Sequence, residues 1–181
     1  MSYNVGQKRV KFITLGLFVL FLTGCASTAR HSQMTVNRNE VARKNSTLVK
    51  NMNVENVMGG KKTNPLWTSQ VDNEGFSQAL TNSLSNVDYL NSDPEKSRFK
   101  LAATIQELKQ PLIGIDFEVV CKAKYTLYDK KLKKMVFDKS VVTPYTASFS
   151  SSMYAPNRLK LANEGAVKEN IKQFLEELNT L

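Results

Sequence analysis

The chain has 181 residues, with 25 lysines and arginines against 16 aspartates and glutamates and a formal net charge of +9. That length holds one compact domain plus a leader and a linker, and the basic balance suits a partner bearing phosphate or carboxylate groups. One histidine and two cysteines leave too few ligands for a zinc site and no base for a catalytic thiol.

Lys8, Arg9 and Lys11 precede the apolar run FITLGLFVLFL at residues 12–22, which breaks at TGCAS. A basic flank, a short apolar run and a zone of small residues read as a secretory signal peptide over residues 1–24. The run is too short for a transmembrane helix, since crossing about 30 Å of hydrocarbon takes about 20 apolar residues.

The residues Leu22, Thr23, Gly24 and Cys25 resemble the lipobox of bacterial lipoproteins. The resemblance implies cleavage between Gly24 and Cys25, a diacylglyceryl thioether on the Cys25 sulfur, and acylation of the new amino group. A thiol serves because its thiolate is a strong nucleophile. Two or more acyl chains anchor stably where one binds marginally, so membrane is the first expected partner. Ala26 and Ser27 follow, with no aspartate after Cys25 to resemble an inner-membrane retention signal. The resemblance therefore implies an outer-membrane protein facing the periplasm. Export also removes nucleic acid from the expected partners.

Residues 25–45 are polar and basic without an apolar period and read as a flexible tether that carries His31 into solvent. Residues 46–181 then read as one domain. STLVKNMNVENVM at residues 46–58 places Leu48, Met52 and Val54 on one parity, a first strand that breaks at Gly59 and Gly60. The loop GGKKTNPLW lacks the ending and glycine spacing of a phosphate-binding loop and reads as a turn. Asp72 can cap a helix whose stripe is Phe76, Ala79, Leu80, Ser83, Leu84 and Val87, with Trp67 folded onto its end. NSDPEKS ends that element.

Three alternating strands follow. The first runs through Phe99, Leu101, Ala103 and Ile105, QPLIG makes a bend, and the second spans residues 116–128. The third places Phe137, Val141, Tyr145, Ala147 and Phe149 on one parity, and Pro144 assigns it to an edge or a bulge. Cys121 lies on the apolar parity of the middle strand and reads as a small buried hydrophobe. A last helix over residues 157–178 carries Val167, Ile171, Phe174, Leu175 and Leu178 on one stripe. Gly165 implies either a close approach of another element there or a later start capped by Asn163. The order β-α-β-β-β-α predicts an α+β two-layer sandwich, a four-stranded, mainly antiparallel sheet with two helices on one face.

Candidate chemistry is sparse. Lys130, Lys131, Lys133 and Lys134 crowd a hairpin tip and could meet an anionic surface, or simply keep the turn solvated. Ser148, Ser150, Ser151 and Ser152 lie between the last strand and the final helix; with no SxxK spacing in that segment they read as turn residues. Asp116, Glu118, Asp129 and Asp138 could pair as acid and base, but their alternation favours structural polarity.

NPLWTSQVDNEGFSQAL, ELKQPLIGIDFEVVCKAKYTL and YAPNRLKLANEGAVKENIKQFLEEL resemble stretches of a family of uncharacterised small proteobacterial outer-membrane lipoproteins. The element order also resembles that of small lipoproteins that serve as accessory subunits in envelope transport and assembly. These resemblances imply a non-enzymatic binding or accessory module, without cofactor, whose partner is an envelope protein or an anionic lipid or glycan. The alternative is an envelope enzyme acting on lipid or glycan through the serines or a carboxylate pair.

Overall fold

The structure, a computed structural model, describes residues 26–42, 45–64 and 68–181; Gly24, Cys25 and Trp67 lie outside the described residues. Its first elements are a single helical turn α1 (His31–Met34) and strand β1 (Met52–Met58). Helix α2 (Asn73–Asn86) follows, capped as the sequence predicts: the Asp72 carboxylate accepts the Gly75 amide at 2.7 Å. Strands β2 (Phe99–Lys109), β3 (Phe117–Asp129) and β4 (Lys134–Ala147) and the long helix α3 (Ala155–Leu178) complete the chain.

The strands lie in the order β1-β2-β3-β4, with β1 parallel to β2 and the other two pairs antiparallel. The parallel pair follows from connectivity, because α2 provides the crossover between β1 and β2. Inward residues of β2 and β3, from Phe99 to Ile105 and from Phe117 to Leu127, are buried under the helices, and the alternate residues form the wet face. This is the expected α+β arrangement, a mainly antiparallel open sheet covered on one face.

The first strand is shorter than the alternation implied. Asn45 accepts the Thr47 amide and caps a 3-10 turn at Ser46–Leu48, and Lys50 takes a positive φ of 51° before β1 begins. A register shift between Val54 and Asn56 bulges β1, so period-2 parity holds only on either side of it. Gly59 has φ +83°, and a Cβ there would lie 2.0 Å from the Ile105 carbonyl oxygen, which explains why glycine ends this strand. Pro144 sits on edge strand β4, as expected of a residue with no ladder donor.

The flexible tether expected at residues 25–45 is corrected by the structure over 26–42. Ala29, Met34, Val36 and Val41 are buried in the core, and the segment runs along α3 as a strap. Lys160 donates to Ser27 Oγ (3.0 Å), Arg30 grips Glu164, Lys168 pairs with Glu40 (2.8 Å), and Asn179 donates to the Ala42 carbonyl (2.8 Å). Its other side is tied to α2, where the Val36 amide donates to Ser83 Oγ (2.9 Å) and Asn86 to the Val36 carbonyl (2.9 Å). The strap thus fills the groove between the two long helices. Sequence reading missed it because its apolar residues carry no helix or strand period.

Gly165 is the close approach of the two alternatives. A Cβ there would lie 2.3 Å from Tyr145 Cδ1, so the ring of β4 lies against the helix backbone, and α3 is continuous from Ala155.

One buried polar network locks α3 to the sheet. Tyr125 stacks on Phe174 with centroids 4.0 Å apart, and its hydroxyl donates to Asn170 Oδ1 at 2.9 Å. Asn170 Nδ2 donates toward the carbonyls of Cys121 and Val141 and Thr143 Oγ1, while Thr143 donates to the Ala166 carbonyl. Burial pushes the Tyr125 phenol well above its ordinary range, so it is a donor at every working pH. Replacing Asn170 by alanine leaves several buried groups unmatched and is expected to cost roughly 2–3 kcal/mol. Urea unfolding of Asn170→Ala should show a lower midpoint with an unchanged slope.

Candidate functional site

The serine segment forms a 3-10 turn, Phe149–Ser151, on the path from β4 to α3. Ser148 and Ser150 hydroxyls are 2.8 Å apart, Ser151 donates to the Ser148 carbonyl, and Ser152 donates to the Tyr154 carbonyl. Arg158 organises this turn: Nη1 donates to the Ser152 carbonyl at 2.6 Å, and the guanidinium lies 4.6 Å from the Phe117 ring centroid. Ser148 and Ser151 border a groove of about 400 Å³ that also contains Glu164 and Lys168. Those two are already engaged by Arg30 and Glu40, and the serine hydroxyls bond one another and the backbone. The hydroxyls and the Arg158 guanidinium together close the turn between β4 and α3.

The other candidates fall into structural roles. Cys121 is buried and burial pushes its thiol up to about 12, which leaves it un-ionised at neutral pH. Asp116 accepts the Phe149 amide at 2.8 Å and Asp138 pairs with Lys124 at 2.8 Å. Asp129 is buried at the start of the lysine hairpin, where it receives Nε and Nη2 of Arg98 and the amides of Lys131 and Leu132. His31 is exposed.

Lys130, Lys131, Lys133 and Lys134 occupy the β3–β4 hairpin tip. They do not form one ammonium cluster, because Lys130 Nζ turns to donate to the Glu95 carbonyl at 2.9 Å. Lys131, Lys133 and Lys134 stay exposed, with Lys133 in the positive-φ position of the turn (53°).

The opposite end of the sheet carries the start of the described chain. Ser69 Oγ donates to the Ser27 carbonyl (2.7 Å), and the Ala29 amide donates to the Gln70 carbonyl (3.2 Å). The Ser69 carbonyl accepts from Gln110 (2.9 Å) and from Asn163 (2.9 Å), and Gln110 also donates to Asn163 Oδ1 (2.8 Å). Ser69 and Asn163 are fully buried, so this network is rigid. It ties the Ser27 carbonyl, through Ser69, to Gln110 at the base of the β2–β3 loop.

That loop is the feature sequence reading passed over. Leu112, Ile113 and Ile115 are 98%, 89% and 75% exposed, far above the other apolar side chains of the sheet. Next to it, Asp116 ties in Phe149, and Phe149, Met153 and Tyr154 are also exposed. QPLIG was legible as a bend, yet a bend needs glycine or proline, not three large apolar residues. The surplus of apolar side chains was the available signal. Phe149, expected on the covered parity of the last strand, instead leaves the sheet in the 3-10 turn.

No family model matches the chain, and no curated protein does. Among solved structures, a Caulobacter crescentus protein designated a lipoprotein shares the fold. It is 15% identical over 74% of this chain and 91% of that one, with a TM-score of 0.50. A minor lipoprotein from Acinetobacter baumannii is 9% identical over 74% and 94% of the two chains, with a TM-score of 0.48. The chain thus shares its α+β fold with the Caulobacter crescentus protein.

The hairpin gives a pH prediction. Arg98 beside Asp129 holds that carboxyl down at about 2, against desolvation, with help from the Leu132 and Lys131 amides. A carboxyl lowered in the folded state stabilises above its unfolded value of about 3.9 and loses that contribution as pH falls through its folded value. Asp129→Asn should therefore be less stable than the parent at pH 7, and the gap in melting temperature should narrow between about pH 4 and pH 2.

Proposed function

We propose that the protein is an envelope lipoprotein, anchored by acyl chains on Cys25 in the outer membrane and facing the periplasm. It acts as a non-enzymatic binding or accessory module in envelope assembly or transport. The observation that carries this reading is the LTGC stretch joined directly to a docked strap. An anchor on Cys25 is followed by folded chain from Ala26, so the domain rides on the membrane surface. The serine turn, whose hydroxyls bond one another and the backbone, supports a binding module over a hydrolase.

Anchoring of this kind works by localisation. It holds the domain at high effective concentration near other envelope components and leaves the edges β1 and β4 open to them. The lysine hairpin lies at the far end of β3, whose 13 residues span about 40 Å at roughly 3.3 Å each, and so points away from the anchoring bilayer. Its exposed ammonium groups then face the compartment, where an acidic protein or an anionic glycan is the suitable partner.

Growth with an alkyne fatty acid tests the reading. The parent should be labelled and recovered in outer-membrane fractions. Cys25→Ala should lose the label entirely, and label retained on that variant would overturn lipidation at this residue.

A further inference from the structure

We infer that the β2–β3 loop, with Leu112, Ile113 and Ile115 at its tip, inserts into the surface of the bilayer beside the anchor and fixes how the domain stands on the membrane. The inference rests on the proposed acylation of Cys25 and adds to it a second contact with the lipid surface.

Three observations converge on this loop. The first is exposure: three large aliphatic side chains within four residues project from a loop closed by Gln110 and by the Asp116 to Phe149 contact. A soluble surface scatters such residues singly, and a protruding apolar cluster marks a contact site. The second is placement. Gln110 holds the Ser69 carbonyl and Ser69 holds the Ser27 carbonyl, so two hydrogen bonds separate the base of the loop from the residue two positions after Cys25. Ser27 is thereby held close to the base of the loop, and the proposed acylation point precedes it in the sequence by two residues, about 7 Å of extended chain. The third is composition. Met153 (80% exposed) and Tyr154 (47% exposed) flank the loop at the same end, a mixture of aliphatic and amphipathic aromatic side chains suited to the headgroup boundary.

The occupant that these features select is lipid. A projecting tip of aliphatic side chains penetrates a fluid interface, and this one lies at the end of the sheet where the chain following the proposed anchor is held. The charges around the loop are mixed: Lys61 and Glu107 line the same groove as Leu112, and Lys109, Asp116 and Glu118 stand within a few residues of the tip in the sequence. Insertion is therefore carried by apolar area and does not require anionic lipid. Because the acyl chains of the proposed anchor already suffice for membrane binding, the loop supplies orientation. With both contacts made, the domain cannot roll about the anchor, and the hairpin tip stands off the bilayer by the length of the sheet.

The test uses the full chain purified from membranes and reconstituted into phosphatidylcholine vesicles, carrying an environment-sensitive fluorophore at Ile113→Cys or, as reference, at Lys131→Cys. Cys121, buried and un-ionised at neutral pH, does not compete for the label. The position 113 fluorophore should shift to the blue in vesicles, be quenched by nitroxide lipids labelled near the headgroup, and stay so at high salt. The position 131 fluorophore should remain water-like. A water-like signal at 113 in vesicles overturns the inference. So does a shift that needs anionic lipid and vanishes in salt, or one that appears without lipid as protein concentration rises, the signature of a second copy of the chain. Mass spectrometry of the same preparation reads acyl groups on Cys25 independently. An acylated chain with a water-like 113 signal refutes insertion alone, and an unacylated chain with a lipid-quenched 113 signal refutes the anchor alone.

Discussion

Glu164 is the constraint on which the arrangement turns. It lies on the packed face of α3 with its side chain 3% exposed, and a carboxylate buried that deeply costs several kcal/mol unless it is paired. Arg30 supplies the pairing from the strap: Nε donates to Oε1 and Nη2 to Oε2, each at 3.0 Å, and the Arg30 backbone amide donates to Oε1 at 2.8 Å. The guanidinium in turn is held above its ordinary range by that carboxylate. A bidentate pair of this kind fixes position as well as energy, because the planar fork fits in one register. Arg30 is half exposed, so salt and water weaken the attraction, but the penalty on an unpaired Glu164 remains.

From that contact the rest follows in order. The strap is pinned near its start, so Met34 and Val36 fall into the groove between α2 and α3, where both are fully buried. The Ser27 carbonyl is then held by Ser69 in the network with Gln110 and Asn163, at the sheet end carrying the apolar loop. A pair between a helix and an otherwise unremarkable segment thereby sets where the described chain starts on the domain. A long, flexible tether would have left the orientation of the domain to diffusion. A docked strap gives the domain's end, its edges and its hairpin fixed places relative to the start of the described chain.

Much of the fold was legible because it rests on periodicity. The α2 stripe from Phe76 to Val87 is buried throughout, the Asp72 cap is made, and the alternation in β2 and β3 gives one covered face and one wet face. What failed to show was whatever depends on a partner far along the chain. Arg30 and Glu164 are 134 residues apart, and neither residue type announces burial. The strap's four buried apolar residues have irregular spacing, so a polar, basic segment looked solvated. The bulge between Val54 and Asn56 broke the parity of β1 for a related reason, since a bulge is a property of the pair and not of one strand. The burial of Cys121 was legible from its parity, whereas Asp129, read as strand polarity, is buried against Arg98, and the apolar loop was read only as a bend. Its residues are informative through their exposure, which appears only once the sheet places them beyond the edge of the core.

Hydrogen exchange of the strap amides tests the central claim most directly. In the parent protein, the amides of Ala29, Arg30 and Val36 should exchange far more slowly than unstructured chain, since they donate to the Gln70 carbonyl, to Glu164 and to Ser83. In Arg30→Ala, protection over residues 29–36 should fall while that of β3 persists. Free exchange of these amides in the parent, at the rate of an unstructured tether, would contradict the account.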